Sequence, residues 1–352
     1  MASPHLKGKV EPLDVKEKSI SQLMSEMAKT AYQGRKLGEA VEVWEEMLKE
    51  KDLTIIMGLA GSMSTAGQWK IINWLVEKRF IDVLVSTGAN VSEDIVDAMG
   101  LGYWQGKINE DDRRLFNAGI NRYYDVYGRE SDYRKMEDLI TEFMLTLKGD
   151  AAYSSMEFLY LFGKWLNTKG IKSIAAVASE KKVPIFCPAI MDSAFGEAFL
   201  LAANKGKYIT LDEGKGFRQF NTIAERVKDI GVVYIGGGVP KDFTQLLAIG
   251  IVLTESPKSE KREGYFREAV RDYYYPHKYA IQITTDSPQW GGLSGCTLEE
   301  AVSWGKVHSE GKRVMLYCDA TIALPLIAHA LNERVRFERR GADLSWLFKE
   351  VS

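Results

Sequence analysis

The residues best suited to chemistry lie in the stretch from Thr285 to Lys306, which reads Thr-Asp-Ser-Pro-Gln-Trp-Gly-Gly-Leu-Ser-Gly-Cys-Thr-Leu-Glu-Glu-Ala-Val-Ser-Trp-Gly-Lys. Its glycines predict a loop that a ligand can approach closely. A hydroxyl at Thr297 and a carboxylate at Glu300 form a capping box, which predicts a short helix. The glycine before Lys306 is a typical helix end, so Lys306 lies at or just past that end, beside the indole of Trp304. A lysine there can act as a reactive amine. Lysine is also common in last turns because it suits the helix dipole, and spacing alone favours this second interpretation.

Length and composition narrow the class of protein. The chain has 352 residues, 45% hydrophobic content and a formal net charge of -2, which suits a large core in one or two domains. Near-neutral charge argues against a general nucleic-acid binder. No apolar run approaches membrane-spanning length, and the N-terminus lacks the apolar core of a signal peptide. We therefore expect a cytoplasmic protein with no nucleic acid or membrane partner.

Cysteine and histidine usage predicts no metal site. Cys187, Cys296 and Cys318 have no metal-like spacing, and we expect them to be reduced thiols in or beside strands. The four histidines form no cluster in the sequence, which argues against zinc.

Strands and helices alternate along most of the chain. Short apolar runs predict strands at 53–59, 82–86, 183–187, 232–235, 279–284 and 314–317. Such alternation favours one sheet covered on both faces, so we predict an α/β fold with a Rossmann-like, doubly wound, mostly parallel sheet. We assign 1–50 to an N-terminal arm and helical extension, and 51–352 to one α/β domain.

Helical spacing predicts a helix from Ser19 that Gly34 and Gly38 interrupt, followed by a second helix at 39–49. Further helices are predicted at 133–148 and 155–181. The aromatic, charged region 101–150 is expected to pack on the sheet or against a second subunit. The charged segment 254–278 is predicted to be an inserted loop.

Glycines and polar side chains follow several of the predicted strands. The small-residue turn 60–67 between a strand and a helix is typical of a dinucleotide-binding unit, because helix-start amides can approach a phosphate. It lacks G-x-G-x-x-G, and an ordinary tight turn explains it equally well. Three consecutive glycines after 232–235 suggest that a ligand or another backbone passes very close.

Five blocks of the sequence resemble deoxyhypusine synthases. They are Thr-Gly-Ala-Asn-Val-Ser-Glu-Asp (87–94), Met-Asp-Ser-Ala-Phe-Gly-Glu (191–197), Ile-Gly-Gly-Gly-Val-Pro-Lys (235–241), Glu-Ala-Val-Ser-Trp-Gly-Lys (300–306) and Tyr-Cys-Asp-Ala-Thr (317–321). The resemblance covers nearly all of the chain after about residue 50. It implies that Lys306 carries a covalent imine intermediate, which outweighs the interpretation of this lysine as a simple helix end.

The resemblance implies NAD as cofactor and spermidine as substrate. NAD would take a hydride from the carbon beside the secondary amine, diaminopropane would leave, and the aminobutyl group would pass through Lys306 to an acceptor amine. Binding a polycation needs carboxylates and an aromatic face. The implied substrate-binding residues are Glu93, Glu197, Glu300 and Trp304. The implied NAD-contacting residues are Ser62, Thr65, Thr87, Gly88, Asp192, Gly237, Gly238, Thr285, Asp319 and Ala320. A helix-capping role alone would also explain the presence of Glu300, and packing in the core would also explain the presence of Trp304.

The chain departs from the eukaryotic family pattern at four positions. Asp242 stands where that pattern has a proton-accepting histidine, and Glu197 replaces a polyamine-binding aspartate. Trp290 and Leu293 replace two loop aspartates. The loop Gln-Trp-Gly-Gly-Leu-Ser-Gly-Cys resembles the prokaryotic deoxyhypusine-synthase-like branch, some members of which resemble homospermidine synthases.

We therefore predict an NAD-dependent aminobutyl transferase with Lys306 and Asp242 as catalytic residues. The acceptor is expected to be a lysine of translation factor 5A, as in hypusine biosynthesis, or alternatively putrescine, as in homospermidine synthesis. A non-catalytic NAD-binding interaction protein is the alternative from another class, and the intact motif around Lys306 argues against it. An ordinary dehydrogenase is disfavoured because the G-x-G-x-x-G turn is missing. The resemblance also implies a homotetramer with sites between subunits.

Overall fold

The computed structural model describes residues 8–149, 151–254, 275–349 and 351. Its strands, in chain order, are β1 Leu53–Leu59, β2 Val83–Ser86, β3 Trp104–Gln105, β4 Ile120–Tyr123, β5 Val126–Arg129, β6 Ala152–Tyr153, β7 Ile185–Phe186, β8 Thr210–Leu211, β9 Asp229–Ile235, β10 His277–Thr284 and β11 Val307–Tyr317. Its α-helices are α1 Ile20–Met27, α2 Tyr32–Lys49, α3 Trp69–Glu77, α4 Gly88–Ala98, α5 Asp112–Asn117, α6 Glu130–Thr146, α7 Ser155–Thr168, α8 Ile174–Lys181, α9 Ala194–Asn204, α10 Glu213–Arg226, α11 Gly238–Gly250, α12 Leu298–Ser303 and α13 Ala320–Arg334.

A six-stranded sheet in the order β11-β10-β9-β1-β2-β7 forms the centre of the molecule. Every pairing in it is parallel. All seven residues of β1 are buried, as expected for a strand in the middle of a parallel sheet that is covered on both faces. The predicted α/β fold is therefore confirmed.

Alternate residues of the strands point into two separate hydrophobic cores on the two faces of the sheet. Met57 and Ile283 point into the larger core, which they share with α2, α3, α6–α9 and α13. Ile56 and Ala280 point into the smaller core, with α10, α11 and α12. The N-terminal helices belong to the larger core, since Trp44 of α2 is fully buried within it.

Several element bounds differ from the sequence-based predictions. Gly34 and Gly38 lie inside α2, and the break comes earlier, at residues 28–31. Gly38 is needed there because a Cβ would lie 2.5 Å from Met24 O of the preceding helix. The predicted helix 155–181 is two helices, α7 and α8, and Gly170 between them has φ +72°. Such a conformation suits glycine and ends a helix.

Other differences arise where burial is partial. The last strand is predicted at 314–317, but β11 already starts at Val307. The sequence does not indicate the first half of this strand because residues 308–313 are polar and none of them is buried. The aromatic region 101–150 contains a small antiparallel sheet, β3-β5-β4, which was not predicted. Most of the predicted insertion 254–278 lies outside the described residues. Among the helices that are described, none is both long and apolar enough to cross a bilayer.

The carboxyl ends of five strands lie level at one edge of the main sheet. The backbone N–H groups of Thr87, Ala60, Gly236 and Cys318 each donate to the last or next-to-last carbonyl of a neighbouring strand, at 2.8–3.1 Å. The loops after β1, β2, β9, β10 and β11 therefore start side by side. This carboxyl edge is where open α/β sheets bind ligands.

Candidate active site

The short helix α12 positions Lys306 as the sequence predicts. The Thr297 side chain accepts from Glu300 N, and the Glu300 side chain accepts from Thr297 N at 2.8 Å, so the capping box is present. The helix ends at Ser303, and Gly305 turns the chain with φ +71°. Lys306 follows directly, with its amide bonded to Ala301 O at 2.9 Å.

The Lys306 amine lies in a mostly buried position between a carboxylate and an indole. The residue is 8% exposed, and its Nζ is 3.0 Å from Asp242 Oδ1. The same nitrogen lies 5.1 Å from the ring centroid of Trp304, within cation–π range. The fold thus brings together three of the predicted site residues. Glu300 is exposed, and its carboxylate accepts from Thr297 N and Thr297 Oγ1 in the helix cap.

A second lysine, Lys241, lies nearby with a different set of contacts. It is fully buried, and its Nζ donates to Gln282 Oε1 at 2.8 Å, Leu293 O at 3.1 Å and Cys296 O at 2.6 Å. Burial is the main cause that lowers the pKa of Lys241 to about 8. Three protein acceptors surround this amine, so it fixes the glycine loop, whereas Lys306 has a single ionic partner among the described residues.

The glycine run after β9 is explained by the same loop. A Cβ on Gly237 would lie 2.3 Å from Ser294 Cα, so another backbone does pass very close there. Ser294 Oγ also accepts from Gly238 N at 3.1 Å. Gly238 has φ +55°, and no atom lies within 4 Å of where its Cβ would be, so its outer side is open to a ligand.

Glu93, in the middle of α4, is the centre of a second cluster. One carboxylate oxygen accepts from Ser62 Oγ and the other from the Tyr133 hydroxyl at 3.4 Å. Ser62 also shares a hydrogen bond of 2.7 Å with Thr65 Oγ1. Burial raises the pKa of Glu93, and the Ser62 and Tyr133 hydroxyls oppose that rise. The predicted residues Ser62, Thr65 and Glu93 are therefore in direct contact.

Asn90 holds the turn that carries these residues, and the sequence analysis did not single it out. This buried side chain donates to Gly61 O at 2.9 Å and to Thr87 Oγ1 at 2.8 Å, and accepts from Met63 N at 2.8 Å. The loops after β1 and β2 are thereby tied together. Its only sequence signal is its place inside the block 87–94.

Glu197 is exposed in the first turn of α9. Its carboxyl group is within hydrogen-bonding reach of Glu137, a buried residue of α6 that the sequence analysis also missed. Burial first, and then Glu197, raise the pKa of Glu137 to about 7, while Arg134, which donates at 2.6 Å, opposes this. Two touching carboxyl groups do not both ionise easily, so Glu137 keeps a proton available near neutral pH.

The residues implied to contact a dinucleotide all lie at the carboxyl edge. They follow β1 (Ser62, Thr65), β2 (Thr87, Gly88), β7 (Asp192), β9 (Gly237, Gly238), β10 (Thr285) and β11 (Asp319, Ala320).

The donor groups at this edge fit a dinucleotide. Helices α9 and α13 are capped by their own Ser193 and Asp319, whereas no side chain caps α4 at Thr87. Uncapped amides at a helix start suit a phosphate. Gly61 and Gly67 leave open space in the turn beside α4, and Asp192 and Asp319 offer exposed carboxylates of the kind that bind ribose hydroxyls.

The site residues fall into two groups within one chain. The lysine group (Lys306, Asp242, Trp304 and Lys241) lies on α11 and in the turn directly after α12, whereas the glutamate group (Glu93, Tyr133, Glu137 and Glu197) lies on α4, α6 and α9. Within the described ranges, no hydrogen bond, ion pair or ring contact joins the two groups. Helices α11 and α12 pack in the smaller core and α4, α6 and α9 in the larger one.

Comparison with known proteins identifies the family. The family model for deoxyhypusine synthase matches residues 22–331. The chain belongs to the deoxyhypusine synthase family. It is 44% identical over 340 residues to "Probable deoxyhypusine synthase 2" of Methanosarcina mazei, covering 95% of this chain and 93% of that one. It is 46% identical over 305 residues to the protein of the same name from Archaeoglobus fulgidus, covering 87% and 95%.

Bacterial and eukaryotic proteins of the family are also similar to the chain. "Deoxyhypusine synthase-like protein" of Chlorobaculum tepidum is 36% identical over 342 residues, covering 96% of this chain and 93% of that one. A crystal structure of a deoxyhypusine synthase candidate from Entamoeba histolytica aligns with TM-score 0.62 at 17% identity, covering 93% of this chain and all of that one. At that identity the structural match supports the fold alone.

Proposed function

We propose that the chain is an NAD-dependent aminobutyl transferase that uses spermidine as donor and Lys306 as the covalent carrier. The observation that carries this proposal is the position of the Lys306 amine. It lies in the family-like motif, is mostly buried, contacts Asp242 at 3.0 Å and lies over the ring of Trp304. Lys241, the other lysine in a family-like block, has its amine surrounded by three acceptors.

In the proposed transfer, the neutral amine of Lys306 attacks the imine carbon of the oxidised spermidine. A carbon–nitrogen bond to Lys306 forms, and the bond to diaminopropane breaks. With the imine protonated both before and after the transfer, one proton moves from the lysine nitrogen to the leaving nitrogen, so the step balances. Attack requires an unprotonated amine, so Asp242, the ionic partner of Lys306, is placed to take up the proton that the ammonium must first lose.

NAD, when bound, supplies the hydride acceptor for the oxidation of spermidine and the hydride donor for the final reduction. We propose that the uncapped start of α4 and the open turn 60–67 hold its pyrophosphate. Asp192 and Asp319 are proposed to bind its ribose hydroxyls. Glu93, Glu197 and Glu300 with Trp304 provide the negative charge and the aromatic face that a polycation needs.

We infer a homotetramer in which each site is shared between subunits. The glutamate group and the lysine group have no contact within the described part of one chain, so a second copy is the simplest way to place both around one spermidine. Four large apolar side chains are at least half exposed on the loops or helix starts that follow β7, β9, β10 and β11: Met191, Val239, Trp290 and Ile322. Exposed apolar side chains around a site suit a subunit contact.

The acceptor amine is proposed to be a lysine of translation factor 5A, with putrescine as the second candidate. Asp242 favours putrescine, because a carboxylate at this position attracts a second ammonium, and its side chain is 43% exposed. Trp290 and Leu293 have the opposite effect, because they bring no negative charge to the loop.

Supplying both acceptors separately tests the proposal. The enzyme with spermidine and NAD is given either purified translation factor 5A or putrescine, and the products are identified by mass. Aminobutyl label on the factor supports the first acceptor, and homospermidine without label on the factor supports the second. The absence of transfer to either acceptor, together with tight NAD binding, would instead favour a non-catalytic NAD-binding interaction protein.

A further inference from the structure

His277 is a buried polar side chain that the proposed reaction has not used. It is the first residue of β10 and is 0% exposed. Among the residues that the structure describes, neither of its ring nitrogens has a hydrogen-bond partner. Leaving a buried donor and a buried acceptor unpaired costs free energy, and native structures pair more than nine in ten such groups. An unpaired imidazole in this position therefore requires an explanation.

The backbone ties His277 directly to the proposed carrier lysine. His277 N donates to Lys306 O at 3.0 Å, and His277 lies opposite Val307 in the register between β10 and β11. Burial lowers the pKa of His277 to about 3, and the positive charge of Lys306 is the second cause. The ring is therefore neutral, and the backbone bond places His277 directly beside Lys306 where β10 and β11 begin.

A neutral imidazole can give the Lys306 amine a second hydrogen-bond acceptor. Within the described part of the chain, Asp242 is the one carboxylate paired with that nitrogen, and in the proposed reaction Asp242 also faces the ammonium groups of the polyamine. A neutral amine has two N–H bonds and one lone pair. Two acceptors are needed to hold both N–H bonds so that the lone pair points to the imine carbon.

We propose that His277 is a positioning residue for Lys306, whose ring nitrogen accepts an N–H bond of the neutral amine when substrate charge draws Asp242 away. This inference rests on the proposed function, and it assigns a role to a residue outside the blocks that resemble the family. His277 neither contacts substrate nor supplies a proton. It orients the lysine for attack.

Two rates measured in one experiment test this role. Enzyme, spermidine and NAD are mixed, and NADH formation is followed by absorbance. Samples are quenched with borohydride at intervals, and the amount of Lys306 adduct in each is measured by mass spectrometry. For His277→Phe we expect NADH formation within two-fold of wild type and adduct formation at least ten-fold slower. His277→Gln, which keeps a hydrogen-bonding group, should recover part of the adduct rate. The thermal midpoint of His277→Phe should equal or exceed that of wild type, because two unpaired polar atoms are removed.

The matched control is His329→Gln, a change on the exposed side of α13, which should leave both rates unchanged. If His277→Phe does not fold, His277→Leu gives the same comparison. Adduct formation at the wild-type rate in a folded apolar variant would overturn the proposal. So would a parallel fall of both rates and of the thermal midpoint, which indicates a purely structural role. If wild type forms no Lys306 adduct at all, the proposed function fails, and this result is distinct from either outcome for His277.

Discussion

At the scale of single residues, the proposed transfer depends on the contact between Lys306 Nζ and Asp242 Oδ1. The capping box and the glycine stop fixed the place of Lys306 on its helix. The contact with Asp242 joins residues 64 positions apart, so no local spacing could predict it. Glu137 and His277 were missed for the same reason, because their significance comes from burial and from neighbours on other elements.

Asp242 provides a residue-scale prediction. Asp242→Asn keeps the shape of the side chain but removes the carboxylate that we predict accepts the proton released as the secondary amine of spermidine is oxidised. We expect NADH formation with spermidine to slow by about 100-fold, within the usual range for loss of a general base, while the Kd for NAD changes little. Single-turnover absorbance and NAD titration measure the two quantities.

The control for this prediction is Asp138→Asn, at an exposed position of α6. It should leave both quantities unchanged. An unaltered single-turnover rate of NAD reduction in Asp242→Asn would mean that another base or the solvent takes the proton released by spermidine.

At the scale of elements, the sequence predicts the bounds of a strand well where the strand is a continuous apolar run. It predicts them poorly where apolar and polar residues are mixed. The run at β1 is buried throughout, so its bounds were predicted to the residue. Strand β11 carries an exposed polar half, and the short strands of β3-β5-β4 are half exposed, so neither gives a clear hydrophobic pattern. Inside α2, Gly38 resembles a helix break in the sequence, but it allows α2 to lie against the end of α1.

A buried ion pair at the other edge of the sheet yields the element-scale prediction. Asp82 is 0% exposed, and it accepts from Arg339 Nη1 at 3.0 Å and Nη2 at 2.8 Å, which ties the C-terminal segment to β2. Arg339→Met removes the nearer cation from this buried carboxylate and leaves it Arg79, at 3.7 Å, as its remaining ionic partner among the described residues. We expect a loss of about 3–5 kcal/mol in the free energy of unfolding, the usual cost of breaking such a pair.

Denaturant unfolding measures this loss, and Arg340→Met, at the exposed neighbouring position, is the control that should stay within about 0.5 kcal/mol of wild type. A loss below about 1 kcal/mol in Arg339→Met would show that the pair contributes no more than a surface ion pair does.

At the scale of the whole molecule, the sheet places the lysine group and the glutamate group in different layers. The sequence analysis placed Lys306, Asp242 and Trp304 in one site with Glu93 and Glu197 because the family resemblance implies a single spermidine-binding site. Which of the two cores each helix joins depends on the whole topology, so their separation could not be predicted from spacing.

A shared site predicts an obligate oligomer. We expect a dimer or larger assembly by light scattering, and we expect activity to fall as dilution dissociates it. Val239→Asp, which places a charge among the exposed apolar side chains near the carboxyl edge, should weaken the assembly and the transfer activity together. A monomeric species with full activity per chain would contradict the shared site.

The most direct test of the central claim is the identity of the covalently modified residue. Wild-type protein incubated with spermidine, NAD and borohydride should gain one aminobutyl mass, located on Lys306 by peptide mapping. Lys306→Ala should bind NAD with unchanged affinity and gain no such mass, whereas Lys312→Ala, at an exposed position of β11, should be modified as wild type is. An adduct on Lys241 instead, or full transfer activity in Lys306→Ala, would contradict the assignment of Lys306 as the carrier.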